Sequence, residues 1–158
     1  MAPVIRPATG DDFSIIADFN IRMALETEEL QLDRSVVEQG VRAAIADDRR
    51  GQYFVAERKG EVAGCLLITY EWSDWRNGNI WWVQSVYVAP EHRRCGVFRA
   101  LCEHAVTEAR TNPEAVGLRL YVEKDNQTAQ TVYEKLGWTR PGYLVMENMF
   151  PKISSSKS

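Results

Sequence analysis

The sequence predicts an α/β fold of the α+β kind: one mixed sheet of six or seven strands with helices on both faces. Three observations predict it. β-Branched and aromatic runs of strand length alternate with segments whose apolar residues recur at helical spacing. Twice, a strand leads through a short polar turn straight into a helix. At 158 residues and 45% apolar content the chain can bury one ordinary core.

Residues 4–8 form a short first strand, and Thr9-Gly10-Asp11-Asp12 supplies turn and N-cap chemistry for a helix over 13–23. Asp33 or Ser35 caps a second helix, in which Val36, Val37, Val41, Ala44 and Ile45 share one face, and Asp47-Asp48-Arg49-Arg50-Gly51 ends it. Strands at 53–57 and 61–70 are joined by Arg58-Lys59-Gly60, and the polar turn 73–78 leads to a strand over 80–88, so 61–88 reads as a long hairpin. Pro90 stops that strand, and a helix follows over about 96–110. Beyond Thr111-Asn112-Pro113 come a strand at 118–122, a helix at 128–136 with Gly137 as its C-cap, and a final strand over about 143–150. Residues 154–158 offer nothing apolar to bury and read as a mobile tail.

The most informative stretch is His92-Arg93-Arg94-Cys95-Gly96-Val97-Phe98-Arg99, a basic turn between the run Ser85-Val86-Tyr87-Val88 and the helical run beginning at Ala100. A helix N-terminus carries N–H groups without intrahelical acceptors and a partial positive charge. Gly96 allows close backbone approach, and three arginines add charge. Each charge-assisted hydrogen bond in such a seat contributes roughly 1.5–3 kcal/mol, and the helix dipole roughly 0.3–1 kcal/mol more. A phosphate-bearing cofactor is its natural occupant.

This strand-turn-helix resembles the cofactor signature of the GNAT superfamily of N-acetyltransferases, Q/R-x-x-G-x-G/A, with Arg93 in the first place and Gly96 in the fourth. A second GNAT-like element follows: the strand Gly117-Leu118-Arg119-Leu120-Tyr121-Val122, then Asn126-x-x-Ala129-x-x-x-Tyr133-Glu134-Lys135-Leu136-Gly137-Trp138. The likeness runs from about residue 5 to residue 150 and implies a mostly antiparallel GNAT-like sheet in a single domain spanning 1–153. The sixth place of the signature, usually Gly or Ala, is Phe98, whose ring must point away from the phosphates or cover one side of the cofactor.

A net charge near −3 and a pI near 5.5 argue against a nucleic-acid-binding surface. Cys65, Cys95 and Cys102 fall in apparent strand, turn and helix without paired metal-ligand spacing, so no metal is expected and a reducing cytoplasm fits best. Neither a leader pattern at Met1-Ala2-Pro3 nor a run of eighteen apolar residues is read, so no membrane partner is expected. His92 and His104 lack metal-like spacing, and Cys95, although in an electropositive turn, has no Cys-His pairing to support nucleophilic chemistry.

The resemblance implies acetyl transfer from acetyl-CoA to a primary amine, which sets three tasks: holding the cofactor, presenting an uncharged amine, and stabilising the departing thiolate. Cofactor binding falls to Arg93, Arg94, Cys95, Gly96, Val97, Phe98 and Arg99 for the pyrophosphate, and to the backbone of Val86 and Val88 for the pantetheine arm. Asn126 is a cofactor amide contact, a helix cap, or both. Deprotonating an amine with a pKa of about 10.4 near neutral pH costs roughly 4–5 kcal/mol, so a base is useful. Many relatives carry a glutamate on the strand before the turn, but Trp81-Trp82-Val83-Gln84-Ser85 contains no acid. Glu71 and Asp74 near the hairpin end, with Glu26, Glu28 and Glu29 between the first two helices, are the available carboxylates. By analogy both segments border the acceptor. Glu71 and Glu28 are the candidate bases, and Glu28, Glu71, Trp72, Asp74 and Trp75 the candidate acceptor contacts, since aromatic faces and carboxylates suit a cation. Trp81 and Trp82 point to opposite sheet faces. Tyr133 is the residue that relatives use to hydrogen-bond or protonate the leaving sulfur; its alternative is an aromatic packed on the sheet. The expected acceptor is a small cationic metabolite, with GNAT-type homodimerisation open. The rivals are a peptide or protein amine acetyltransferase, a non-catalytic acyl-CoA sensor, and a nucleotide-binding module without acyl chemistry.

Overall fold

The computed structural model describes residues 2–151. Two compact units divide the chain, Met1–Tyr121 and Val122–Ser158. In the first, the order is β1 (Val4–Pro7), α1 (Phe13–Glu28), α2 (Arg34–Ala46), β2 (Gln52–Arg58), β3 (Glu61–Ser73), β4 (Gly78–Val88), α3 (Val97–Thr111) and β5 (Ala115–Leu120). The strands lie side by side in sequence order, antiparallel from β1 to β4, with β5 parallel to β4. A parallel neighbour needs a crossover, and α3 supplies it.

Alternation along the strands gives each sheet face its own core. Tyr53, Val55 and Cys65 meet Ile16, Ala17 and Phe19 of α1 and Val41 of α2 in one buried cluster. On the opposite face Phe54 touches His104 of α3, ring centroids 4.8 Å apart. Helices thus cover both faces, as expected. α3 sits close because Gly64 makes room for it: a Cβ there would come within 2.5 Å of the Tyr87 carbonyl oxygen and 3.3 Å of Val97 Cγ1. Before α1, Arg6 grips buried Asp12 with two nitrogens at 2.8 and 3.0 Å, and the Thr9 backbone N–H donates to the same carboxylate at 2.7 Å.

Three expectations need correction. α1 runs five residues past position 23 to Glu28, because Ala24-Leu25-Glu26-Thr27 contains no helix breaker. It ends where Glu29 turns left-handed at φ 52° and donates its N–H to Leu25. Glu26 and Glu28 therefore ride on the helix instead of on a connecting loop. The sheet has five strands among the described residues, not six or seven. The missing strand is the one expected at 143–150, which carries no regular structure and leaves Leu144 and Met146 more than 90% exposed. Apolar, β-prone residues specify a strand only where a neighbouring strand accepts their ladder.

In the second unit, Asn126 Oδ1 accepts the Ala129 N–H at 3.0 Å and starts α4 (Gln127–Lys135). Gly137, at φ 96°, ends it: its N–H reaches the Glu134 carbonyl at 3.1 Å and the Trp138 N–H the Tyr133 carbonyl at 3.0 Å. The Tyr133 and Trp138 rings meet edge to face, 5.8 Å between centroids. The tail at 154–158 lies outside the described residues. No helix among the described residues is long and apolar enough to cross a membrane.

Candidate active site

The site begins where two strands separate. β5 pairs with β4 from Asn79↔Ala115 to Val83↔Leu120, whereas the β3–β4 ladder continues to Gly64↔Val88. A register shift opposite Leu67 and Ile68 leaves Gln84 as an extra residue on β4. Residues 84–88 of β4 thus turn one backbone edge away from β3 without a β5 partner. Backbone donors and acceptors on such an edge are available to an extended ligand arm.

The chain then turns sharply into α3. Arg94 holds a left-handed φ of 63° and Gly96 one of 79° with ψ near 8°, so Gly96 meets a backbone requirement. A Cβ at Gly96 would touch nothing within 4 Å, so space is not what demands glycine there. The first-turn N–H groups of α3 point out of the helix at its positive end. A cleft of about 490 Å³ opens here, and Val86, Val88, Arg93, Arg94, Gly96, Val97, Phe98 and Arg99 all line it. Seven of the ten cofactor positions named from sequence are side chains or backbone of this turn, and the structure gathers them with the open β4 edge. Cys95 lies within the turn, half-buried, its Sγ 3.5 Å from the Arg93 carbonyl. Phe98 lines the cleft and is 40% exposed. Asn126 serves as the cap described above.

Five lining residues were not assigned from sequence to this cleft: Met23, Glu26, Thr27, Tyr87 and His92. Arg93 Nε donates to the Val88 carbonyl at 2.9 Å, and its Nη2 donates to Glu26 Oε2 at 2.9 Å. Tyr87 Oη donates to Glu26 Oε1, also at 2.9 Å. The Arg93 guanidinium, and after it the Tyr87 hydroxyl, hold the Glu26 carboxyl below the usual carboxylate range. Burial, reinforced by the Glu26 carboxylate, pushes the Tyr87 phenol up. Beneath the turn, buried His92 places Nε2 2.8 Å from Glu61 Oε1 and Nδ1 3.3 Å from Arg58 Nη1. Arginine only donates, so Nδ1 accepts and Nε2 carries the proton towards Glu61. His92 is therefore a structural pin between the β2–β3 hairpin and the turn.

The candidate acceptor residues occupy the hairpin and the end of α1. Glu71 is engaged on both oxygens: Trp82 Nε1 donates to Oε1 at 2.8 Å, and Arg119 Nη1 reaches Oε2 at 3.1 Å. Trp82 also packs on Tyr121, ring centroids 4.6 Å apart, while Trp81 is buried against Tyr70 on the other face. Trp72 and Trp75 are 60% and 87% exposed, and Asp74 and Glu28 are exposed. Arg119 was missed as a partner of Glu71 because 48 residues separate them. Burial pushes the Cys65 and Cys102 thiols up to about 12, which makes both inert.

The donor set fits an acyl-CoA. A left-handed glycine and an outward-facing helix N-terminus suit phosphate oxygens, arginines surround them, and the adjoining strand edge can pair with an amide-bearing arm. Comparison with known proteins agrees. The chain is 34% identical over 108 residues to the mycothiol acetyltransferase of Streptomyces griseus subsp. griseus, a match that takes in 59% of this chain but spans only 31% of that relative's length. It is 41% identical to a possible acetyltransferase from Clostridium difficile 630, with a TM-score of 0.88 over 96% of this chain and 100% of that one. The ribosomal-protein-alanine N-acetyltransferase of Brucella melitensis biovar Abortus 2308 shares the fold, with a TM-score of 0.74 at 16% identity over 95% of this chain and all of that one. The family model described as acetyltransferase (GNAT) matches residues 19–138, and the chain belongs to that family.

Proposed function

We propose that the chain is an acetyl-CoA-dependent N-acetyltransferase that acts directly on a primary amine of a small cationic metabolite. The observation that carries this reading is the junction of an unpaired β4 edge with the Gly96 helix start inside one cleft. Bound there, acetyl-CoA supplies an activated thioester carbonyl. The backbone at Val86 and Val88 holds the acyl arm, and the first turn of α3 holds the phosphates by charge-assisted hydrogen bonds. Tyr133 donates a hydrogen bond that strengthens as charge develops on the leaving sulfur. Full proton transfer from a phenol of pKa about 10 to a thiolate of pKa about 8.5 is uphill by about 2 kcal/mol, so the hydrogen bond is the more economical role.

Of the two candidate bases, Glu71 already serves Trp82 and Arg119. We assign it to positioning those side chains and give proton removal to exposed Glu28, directly or through water. Exposed Glu28, Glu29 and Asp74, with the faces of Trp72 and Trp75, favour a cationic acceptor by charge and by π-contact.

The test is release of free thiol from acetyl-CoA against a panel of polyamines, amino acids, aminoglycosides and lysine peptides. Turnover with cationic small amines, reduced by Tyr133→Phe at unchanged acetyl-CoA affinity, supports the reading. Tight acetyl-CoA binding without turnover on any amine favours a sensor, and turnover confined to the peptides overturns the small-metabolite assignment.

A further inference from the structure

Resting on that reading, we infer that Glu26 is a positioning residue, which works by strapping the Arg93 side chain across the end of the cleft between the cofactor turn and α1. The geometry gives Arg93 another task than gripping phosphate. Its Nε reaches back five residues to the Val88 carbonyl, its Nη2 reaches the Glu26 carboxylate 67 positions away, and its Cζ lies 5.4 Å from the centre of the Tyr87 ring. The guanidinium therefore runs back along β4, on the acyl-arm side of the turn. Tyr87 closes the arrangement by donating to the second Glu26 oxygen. Both carboxylate oxygens and two of the three guanidinium nitrogens, Nε and Nη2, are used, so turn, strand and helix meet in one polar knot.

The knot sits where rigidity matters. The Val88 carbonyl borders the unpaired β4 edge, and the turn that follows contains the left-handed Arg94 and Gly96. With nothing holding Arg93, that turn is free to relax and its N–H groups lose their common aim. Arg94 remains on the cleft lining to meet phosphate charge, and Arg99 lines it too, with its Nε donating to Glu103 Oε1 at 2.7 Å.

A phosphate-gripping Arg93 and a strapping Arg93 predict opposite signs for one substitution. If Arg93 grips phosphate, removing the competing Glu26 charge frees it and tightens acetyl-CoA. If Glu26 straps Arg93, removing that charge loosens the turn and weakens acetyl-CoA.

The experiment is calorimetric titration of acetyl-CoA into the unsubstituted chain, Glu26→Gln, Arg93→Gln and the double variant, with amide hydrogen exchange on the same cofactor-free proteins. Both side chains are partly exposed, at 45% and 41%, which limits the expected effect to an about fivefold rise in Kd, or about 1 kcal/mol. That loss is expected in either single variant and is not compounded in the double. KM for acetyl-CoA should rise more than kcat falls. Exchange at the hydrogen-bonded Ala89, His92 and Arg93 amides should accelerate by about the same factor in both single variants, while α1 stays protected. Glu26→Gln binding acetyl-CoA as tightly as or more tightly than the unsubstituted chain overturns the inference, as do multiplicative effects in the double variant. If the unsubstituted chain fails to bind acetyl-CoA, the proposed function falls, and the exchange pattern still decides the strap.

Discussion

Gly96→Ala isolates the backbone contribution of the cofactor turn. Gly96 sits at φ 79° and ψ 8°, and an added Cβ would touch nothing within 4 Å, so the substitution introduces no clash. What remains is the cost of holding an L-residue in the left-handed region, about 1–2 kcal/mol. For a chain of this size each kcal/mol lowers Tm by about 2–4 °C, so a fall of about 2–8 °C is expected if the turn keeps its shape. The turn can instead escape by rotating to negative φ, which swings the following N–H groups away from a shared target. Stability then recovers, and acetyl-CoA affinity falls by about tenfold or more, the worth of one charge-assisted hydrogen bond. Thermal melts and acetyl-CoA titration together detect either route. A variant with unchanged Tm and unchanged Kd would refute the claim that this backbone conformation builds the phosphate seat.

Two further outcomes follow from buried groups. Arg6, then the Thr9 N–H against the opposing cost of burial, leaves the Asp12 carboxyl below its ordinary value of 3.8. A depressed folded value contributes stability that is present above the unfolded value and lost as pH falls through the folded one. The urea midpoint should drop as the pH falls below the ordinary value of 3.8, and Asp12→Asn, about 1–3 kcal/mol less stable at neutral pH, should show a shallower drop. Native alkylation followed by mass spectrometry should modify Cys95 well before Cys65 and Cys102, whose buried thiols are pushed up to about 12; equal rates for all three would contradict the packing.

Local signals were legible. The caps at Asp33 and Asn126, the left-handed Gly137 and the order of the elements through α4 all appear where turn chemistry and periodicity place them. These features depend on residues only a few positions apart. The extension of α1 to Glu28 was not legible, because helix-forming residues continue without a stop signal until a non-glycine residue takes the left-handed cap. Nor was the fate of 143–150, whose composition favours a strand while strand formation depends on a partner elsewhere.

By itself, then, the sequence determined that a strand ends in a basic, glycine-started helix, the arrangement from which a phosphate seat is proposed. A helix start needs only its own residues to orient its N–H groups. Tertiary structure decided what each charged side chain does there. Glu26 meets Arg93 across 67 positions, Glu71 meets Arg119 across 48, and His92 meets Glu61 across 31. Carboxylates and arginines are common on any surface, and spacing along the chain does not reveal which of them share a partner. Sheet register and helix packing bring those pairs within 3.1 Å, and so decide which carboxylates are already spoken for and which remain open to an incoming amine.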